Sequence, residues 1–330
     1  MNKLPFEKIE RKVVVKKESR TNPELGCKPE QKPVEELINY GIVNIDKTKG
    51  PTSHQVSSYV KEILSLGKAG HSGTLDPGVT GVLPVALGRA TRIVQTLLKA
   101  GKEYVCVMHL HKKIEKEELE KVFKKFTGKI KQIPPVKSAV KRQEREREIY
   151  YMNILEIKDK DVLFKVGCEA GTYIRKLVFD FGQELGTGAH MAQLRRTKAG
   201  PFDESSLVTL HDLKDAYYYW KEKGNDNYIR HVVKPIEFAV RHLPKIWVSD
   251  SAIAPVCHGF DLALPGVSKL NDKIEEMEAV AVMTLKDELI ALGKARLSST
   301  DIQKKNKGIA IKIKKVFMEP GVYPKLNKNK

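Results

Sequence analysis

Apolar side chains recur at the spacing of an amphipathic helix in several stretches of the chain. This pattern predicts four helices that end near Gly67, Gly101, Gly128 and Gly186, and a Tyr-rich fifth over residues 210–223. Shorter apolar runs predict strands at residues 42–45 and 104–110, and a hairpin of 150–157 and 162–168. Because helices and strands intermix, we expect an α+β domain with a mixed, mainly antiparallel sheet and flanking helices.

The pattern changes near both ends of the chain. After Pro244, short apolar runs alternate with Gly, Pro and Asn/Asp turns, which is typical of a small, mostly β domain. The first forty residues are polar, basic and interrupted by prolines. We therefore expect a basic extension that packs on the C-terminal domain, a large domain, a small β-barrel-like domain and a basic tail, at residues 1–40, 41–245, 246–325 and 326–330.

Composition narrows the class of protein. The 330 residues carry a formal net charge of +18 at pH 7, and a surplus this large favours a polyanionic partner such as nucleic acid. A Lys/Glu-rich surface of a heat-adapted protein is the alternative. No apolar run reaches the length of a membrane helix or a signal peptide, so we expect a cytoplasmic protein with no membrane association. The four cysteines lie far apart and form no CxxC pair, which predicts free core thiols.

The most unusual segment is a loop over residues 70–81 that contains four glycines and Asp76. It lacks the Gly-Lys-Ser/Thr end of a phosphate-binding Walker loop. Asp76 stands directly before Pro77, which stiffens the backbone around it. By itself, an Asp-Pro-Gly sequence is more often a turn than a catalytic site.

Other segments add candidate chemistry. Arg175 opens a helix directly after a strand, where its guanidinium could keep the carboxylate of a buried aspartate ionised. Tyr104 begins a strand, and its ring could stack on a base or belong to the core. The basic loop over residues 46–54 could contact phosphate or only turn the chain.

These segments together resemble the TruB-type pseudouridine synthases, and more closely their archaeal and eukaryotic dyskerin-type branch. The resemblance covers residues 33–324, and residues 136–151 are more similar to the dyskerin branch than to the bacterial tRNA enzyme. Three blocks occur in the family's order, and they are residues 73–77 (Gly-Thr-Leu-Asp-Pro) with 81–86, 171–175 (Gly-Thr-Tyr-Ile-Arg), and 194–197 (Leu-Arg-Arg-Thr) with 200–202.

The resemblance implies isomerisation of uridine to pseudouridine within RNA, without a metal or an organic cofactor. It makes Asp76 the catalytic nucleophile, with attack on the sugar or on the base left open. It makes Tyr104 the residue that stacks on the flipped base and assists proton removal, and Arg175 the basic partner of Asp76. The remaining residues implied at the substrate site are Tyr173, Leu194, Lys47 and His71. The reaction also implies a closed pocket.

The C-terminal region resembles a PUA domain, a β module that binds RNA. The residues that carry this resemblance are 251–252, 259, 262–266 and 289–295, although Met277-Glu278 stands where many PUA domains have Gly-Asp. An unrelated β module is the alternative. Membership of the dyskerin branch implies the catalytic subunit of a box H/ACA particle, with guide RNA, ribosomal RNA or tRNA and small accessory proteins as partners.

Three other functions stay open at this point. The nearest is a stand-alone enzyme that modifies the T-loop uridine of tRNA. A non-catalytic RNA-binding scaffold is disfavoured because Asp76, Tyr104 and Arg175 are all present. A DNA-binding regulator is weaker, since the sequence shows no helix-turn-helix or zinc pattern.

Overall fold

The computed structural model describes residues 3–134 and 141–323. Contacts divide the chain into two compact units, the first formed by residues up to Lys8 with Ile38–Lys234, the second by Ile9–Leu37 with the chain from Pro235 onward. The extension predicted over residues 1–40 is therefore not one block, because its first eight residues belong to the first unit. The predicted boundary at residue 246 also differs, since it falls inside a strand. Residues 136–140 and the predicted basic tail lie outside the described residues.

The helices and strands of the described residues have the following bounds. The α-helices are α1 Val34–Tyr40, α2 Ser53–Ile63, α3 Val94–Leu98, α4 Lys116–Lys125, α5 Ile174–Glu184, α6 Leu210–Lys223, α7 Asn227–Val232, α8 Asp250–Cys257 and α9 Ser299–Lys304. The strands are β1 Val13–Val15, β2 Gly41–Lys47, β3 Ala69–His71, β4 Thr80–Leu87, β5 Lys102–Leu110, β6 Gly128–Gln132, β7 Arg145–Lys158, β8 Asp161–Cys168, β9 Ala189–Ala199, β10 Phe202–Asp203, β11 Val233–Pro235, β12 Lys245–Val248, β13 Leu262–Ala263, β14 Val267–Asn271, β15 Ala279–Met283, β16 Leu289–Ala295 and β17 Ile309–Val316. Short 3-10 helices lie at Pro5–Lys8, Pro29–Gln31, Gly88–Ile93, Glu204–Ser206, Ile236–Val240 and Leu264–Gly266.

The first unit is built on one large, mainly antiparallel sheet. Its strand order is β11-β2-β4-β9-β5-β8-β7-β6, with β3 added beside β4 and β10 beside β9. Strands β4 and β9 pair in parallel, with Gly81 opposite Arg196. Gly81 has a φ of +99°, and a Cβ there would lie 2.2 Å from the Arg196 carbonyl oxygen, so only glycine permits this approach. The tight pairing brings the loop before β4 next to β9.

Helices α4 and α5 cover part of this sheet with their apolar faces. Phe123 of α4 and Phe181 of α5 stack with ring centroids 5.0 Å apart, and both contact the ring of Phe164 on β8. The predicted helices at α2, α4, α5 and α6 are confirmed, and α3 is preceded by a 3-10 turn. Strands β3 and β9 were not predicted. The α+β class and the mainly antiparallel sheet are confirmed.

The second unit is a separate, mainly antiparallel sheet with the order β1-β14-β12-β15-β16-β17-β13. Its core consists of aliphatic side chains from these strands and from α8 and α9. Strand β1 of the N-terminal segment pairs with β14, and Arg11 donates to the Glu278 carboxylate at 2.6 Å. The C-terminal β-rich domain is thus confirmed, and it takes an added strand from near the start of the chain.

Candidate active site

Asp76 lies in the loop between β3 and β4, on the surface of the first unit. The backbone turns sharply there, because the Val79 N–H donates to the Asp76 carbonyl oxygen at 2.9 Å. The Asp76 side chain is 55% exposed. The carboxylate therefore faces solvent, and the expectation of a buried aspartate in a closed pocket is wrong for the protein without RNA.

The backbone on both sides of Asp76 is fixed by buried polar groups. Ser53, the first residue of α2, accepts the Leu75 N–H at 2.8 Å and donates to the Leu75 carbonyl at 3.0 Å. The Gly50 N–H donates to the Pro77 carbonyl at 3.0 Å. These bonds hold an exposed carboxylate on a backbone that is not free to move.

Arg175 forms an ion pair with Asp76 through its Nη2 and Oδ2 atoms, across 99 residues of sequence. The structure thus brings together the two residues that the sequence predicted as partners. Arg175 is the second residue of α5, and the start of that helix is fixed by Gln132. The Gln132 side chain accepts the Tyr173 N–H at 3.0 Å and donates to the Tyr173 carbonyl at 3.2 Å. The Arg175 side chain is itself 60% exposed.

Tyr104 is half-buried near the start of β5, where it lies directly opposite Arg196 of β9. Burial raises the pKa of the Tyr104 hydroxyl, and the nearby Cys168 and Asp76 act in the same direction. The Arg196 guanidinium opposes them by its charge and by a hydrogen bond. Tyr104 is therefore a neutral phenol at neutral pH, beside a cation.

Arg196 is a residue whose role the sequence reasoning missed. Its side chain is 1% exposed and is the largest of the fully buried ones. Its Nε donates to the Val82 carbonyl at 2.7 Å, and its Nη2 donates to the Gly73 carbonyl at 3.1 Å. The sequence gives only a weak signal for a buried arginine here. Arg195 and Arg196 are adjacent, and only the alternation of side chains along the strand makes Arg196 buried and Arg195 half-exposed.

Lys47, predicted at the substrate site, lies below the Asp76 loop, and its contact with a substrate stays a prediction. The side chain is fully buried, and its ammonium donates to the carbonyls of Thr48, Pro77 and Val79 at 3.0, 3.2 and 2.8 Å. Burial lowers the pKa of Lys47, while the Asp76 carboxylate opposes this. All three donors are used, so Lys47 holds the Asp76 loop from below.

The other predicted site residues lie around this centre. His71 ends β3 and packs edge-on against the His54 ring at 4.8 Å between centroids. Its pKa is lowered to about 4 by burial and by the nearby His54 and Arg196, which leaves it neutral. Tyr173 is the N-cap residue of α5, and Leu194 on β9 is half-buried against the core of the first unit. Their contact with a substrate stays a prediction.

Three general features complete the description of the site and its surroundings. Within residues 3–134 and 141–323, no group of three or more His, Cys, Asp or Glu side chains could hold a metal ion. Among the helices in the same ranges, none combines the length and the apolar composition that a membrane crossing needs. All four cysteines are free thiols, and burial raises the pKa of Cys106 and Cys168 to about 12.

Comparison with known proteins gives family matches along most of the chain. Family models match residues 61–174 (TruB family pseudouridylate synthase, N-terminal domain), 175–241 (tRNA pseudouridylate synthase B C-terminal domain), 244–317 (PUA domain) and 1–57 (DKCLD domain). The chain is 57% identical to a probable tRNA pseudouridine synthase B of Thermococcus kodakarensis, over 98% of this chain and 96% of that protein. It is 54% identical to the same-named protein of Methanopyrus kandleri, over 98% and 95%.

Two solved structures are similar over nearly the whole chain. One is a chain of a Cbf5-Nop10-Gar1 complex, with a TM-score of 0.93, 55% identity and coverage of 98% of both chains. The other comes from an H/ACA RNP bound to a substrate RNA that contains 2′-deoxyuridine, with a TM-score of 0.91, 52% identity and coverage of 98% of this chain and 99% of that one.

Proposed function

This chain belongs to the TruB family of pseudouridylate synthases, which are RNA isomerases, and from that premise we propose that Asp76, Arg175 and Tyr104 convert uridine to pseudouridine in RNA. The observation that carries the assignment of residues is the Asp76–Arg175 ion pair, which joins two distant family segments at the surface. A uridine must leave its stack to reach this carboxylate, at a cost of a few kcal/mol.

The reaction needs no oxidant or reductant. The N1–C1′ bond breaks, its electron pair leaves with uracil, and the Asp76 carboxylate stabilises the positive charge that develops on the sugar. Uracil rotates, C5 forms the new bond to C1′, C5 loses its proton and N1 gains one. Arg175 orients the carboxylate through their ion pair, and Tyr104 stacks on the base and assists loss of the C5 proton.

The open site assigns a role to RNA. Because Asp76 and Arg175 are both more than half exposed, the protein alone does not exclude water from the reacting carboxylate. We infer that bound RNA forms the remaining wall of the pocket. Tyr173, Leu194 and His71 are the predicted side chains on the protein wall, whereas Lys47 acts below the loop.

We propose that the natural setting is a guide-directed box H/ACA particle in the cytoplasm, with small accessory proteins. The support is that similar chains, more than half identical, occur in a Cbf5-Nop10-Gar1 complex and in a substrate-bound H/ACA RNP. Guide-independent action on tRNA is a second candidate, favoured by the names of the curated relatives. A non-catalytic scaffold is disfavoured by the intact ion pair.

The deciding experiment measures pseudouridine formed by the purified chain on a tRNA transcript, and on a ribosomal RNA fragment with and without guide RNA and accessory proteins. The first candidate predicts product on the ribosomal fragment only with the guide. Product on tRNA alone, unaffected by guide, supports the second candidate. No product on any substrate would contradict both.

The charge of the chain gives a test of RNA binding that does not depend on turnover. With a net charge of +18, affinity should fall steeply as salt rises, because each neutralised phosphate releases a counterion. A nearly flat salt dependence would contradict an electrostatic contribution.

A further inference from the structure

We propose that Arg196 is a positioning residue that holds the Tyr104 hydroxyl and stabilises its ionised form, so that Tyr104 can take the C5 proton. This inference rests on the role proposed above for Tyr104. The step is balanced: Tyr104 loses its phenolic proton to water, the phenolate takes the proton from C5, and the C–H electron pair returns to the uracil ring. Arg196 touches neither the base nor the sugar in this scheme.

The first support is the placement of Arg196 opposite Tyr104. Strands β5 and β9 pair Glu103 with Lys198 and Tyr104 with Arg196, so Thr197 is an extra residue on β9. Such a bulge changes the direction of neighbouring side chains and is common beside active sites. Here Thr197 Oγ1 donates to the Glu103 carboxylate at 2.8 Å, while the Arg196 side chain lies beside Tyr104.

The second support is that the guanidinium is fixed before any substrate binds. Its Nε and Nη2 donate to the carbonyls of Val82 and Gly73, which lie on β4 and in the Asp76 loop. Gly73 has a φ of +110°, a backbone conformation that favours glycine, and its carbonyl accepts from the Arg196 guanidinium. A single side chain therefore links the loop that carries Asp76 to β5, the strand that carries the proposed base Tyr104.

The third support is the cost of burying this charge. A guanidinium removed from water is expensive unless it is paired. Within the described residues, the groups that favour the charge of Arg196 are Tyr104 and the two carbonyls that accept from it, not a carboxylate. Leu or Met would fill the same volume without this cost, so packing alone does not account for an arginine at this position.

The fourth support is the direction of the electrostatic effects on Tyr104. Burial, Cys168 and Asp76 all disfavour the phenolate and raise the pKa of Tyr104, and Arg196 is the group that lowers it. Removing the guanidinium therefore leaves three effects that all act against ionisation. By lowering the pKa of Tyr104, Arg196 increases the fraction of phenolate that can accept a proton near neutral pH.

The test compares Arg196→Gln with Arg195→Gln, which changes the adjacent arginine. Arg195 is half-exposed and donates to Asp46 at 3.0 and 3.1 Å and to Glu204 at 2.6 Å, on the other face of the strand. Single-turnover pseudouridine formation should fall on the order of 10- to 100-fold in Arg196→Gln, with RNA affinity unchanged. The rising limb of its pH–rate profile should move to higher pH. Arg195→Gln should leave that limb in place.

A double-mutant cycle with Tyr104→Phe separates a role through Tyr104 from a general one. If Arg196 acts through Tyr104, Arg196→Gln should cost little further rate in the Tyr104→Phe background. Full additivity of the two losses, or a pH–rate profile that does not move, would overturn the proposal. If Arg196→Gln does not fold, Arg196→Lys replaces it in the test. Because lysine retains a positive charge, this variant should keep the rising limb of the pH–rate profile at the wild-type pH, with a lower rate.

A final readout does not depend on turnover. The Tyr104 ring can be followed by NMR of ¹³C-labelled tyrosine, with Tyr104→Phe to assign the signal. Arg196→Gln should titrate Tyr104 at a higher pH than wild type, and an unchanged titration would overturn the inference. A wild-type protein that makes no pseudouridine but shows this shift would instead contradict the proposed function.

Discussion

The Asp76–Arg175 pair and the groups beneath it differ sharply in exposure. The two members of the ion pair have more than half of each side chain in solvent. Lys47, Ser53 and Arg196, which hold the backbone below, are at most 1% exposed. Each of these three donates to a backbone carbonyl of the loop that carries Asp76.

This difference in exposure separates the residues proposed to take part in the reaction from those that hold the loop in position. An exposed ion pair contributes about 0–1 kcal/mol to folding stability. Asp76 and Arg175 can therefore interact with substrate at little cost to the fold. Removal of a buried donor leaves its carbonyl partner without a hydrogen bond. This costs more, about 1–3 kcal/mol of folding free energy. Changes in the exposed pair should therefore affect rate without stability, and changes below it should affect stability as well.

Among the residues that surround Asp76, the largest expected effect is on rate, from Arg175→Gln. Loss of the guanidinium removes the group that orients the Asp76 carboxylate, and the rate of pseudouridine formation should fall on the order of 10²-fold. The free energy of unfolding should change by less than about 0.5 kcal/mol, because the side chain is exposed. Lys176→Gln, at the next position of α5, is the matched control. Equal losses in rate and RNA affinity would instead make Arg175 a phosphate contact.

Lys47→Met should lower both stability and rate. Methionine fills the space but leaves the carbonyls of Thr48, Pro77 and Val79 without their donor, which should cost about 1–3 kcal/mol in urea unfolding. Lys49→Met, two residues later on an exposed side chain, should stay within about 0.5 kcal/mol of wild type. An unchanged midpoint for Lys47→Met would show that the ammonium does not hold the loop.

A smaller loss is expected for Ser53→Ala. The substitution removes the hydroxyl that bonds both the N–H and the C=O of Leu75, and it should cost about 1 kcal/mol by thermal or urea unfolding. Ser58→Ala on the same helix removes a half-exposed hydroxyl that contacts Glu62, and we expect little change. Equal effects of the two substitutions would contradict the idea that Ser53 fixes the loop.

A separate effect, on the pH dependence of stability, is expected from His71. Its pKa in the folded protein is about 4, below the ordinary value of 6.5, so the unfolded chain binds the proton more readily in this range. The stability that neutral His71 contributes, measured as the difference in unfolding free energy from His71→Asn, is therefore fully present above pH 6.5. It is lost as the pH falls toward 4. Urea unfolding of both proteins across this range measures it. A constant difference would place His71 in a solvated site.

Much of this arrangement was readable in the sequence. Helix α2, predicted from its apolar spacing, is present with Thr52 as its N-cap, and α5 places Arg175 at its start, as expected. The pairing of Asp76 with Arg175 followed from matching two separate blocks to one family. These features depend on short segments whose residue types have strong local meaning.

What could not be read depends on contacts between distant segments. Strand β9 was missed because its sequence is half polar and two arginines interrupt its apolar alternation. Lys47 was placed toward substrate because nothing in its local sequence shows that the turns at residues 48, 77 and 79 supply three carbonyls to it. Asp76 was expected to be buried, because the sequence does not show which surfaces the fold leaves exposed for RNA to cover.

The most direct test of the whole account is a single-turnover assay of Asp76→Asn with bound RNA. Asparagine keeps the size and exposure of the side chain and removes its charge. The account predicts no detectable pseudouridine, with RNA affinity and unfolding midpoint equal to wild type. Substantial product from Asp76→Asn, or an equal loss of RNA binding, would contradict a catalytic role for this carboxylate.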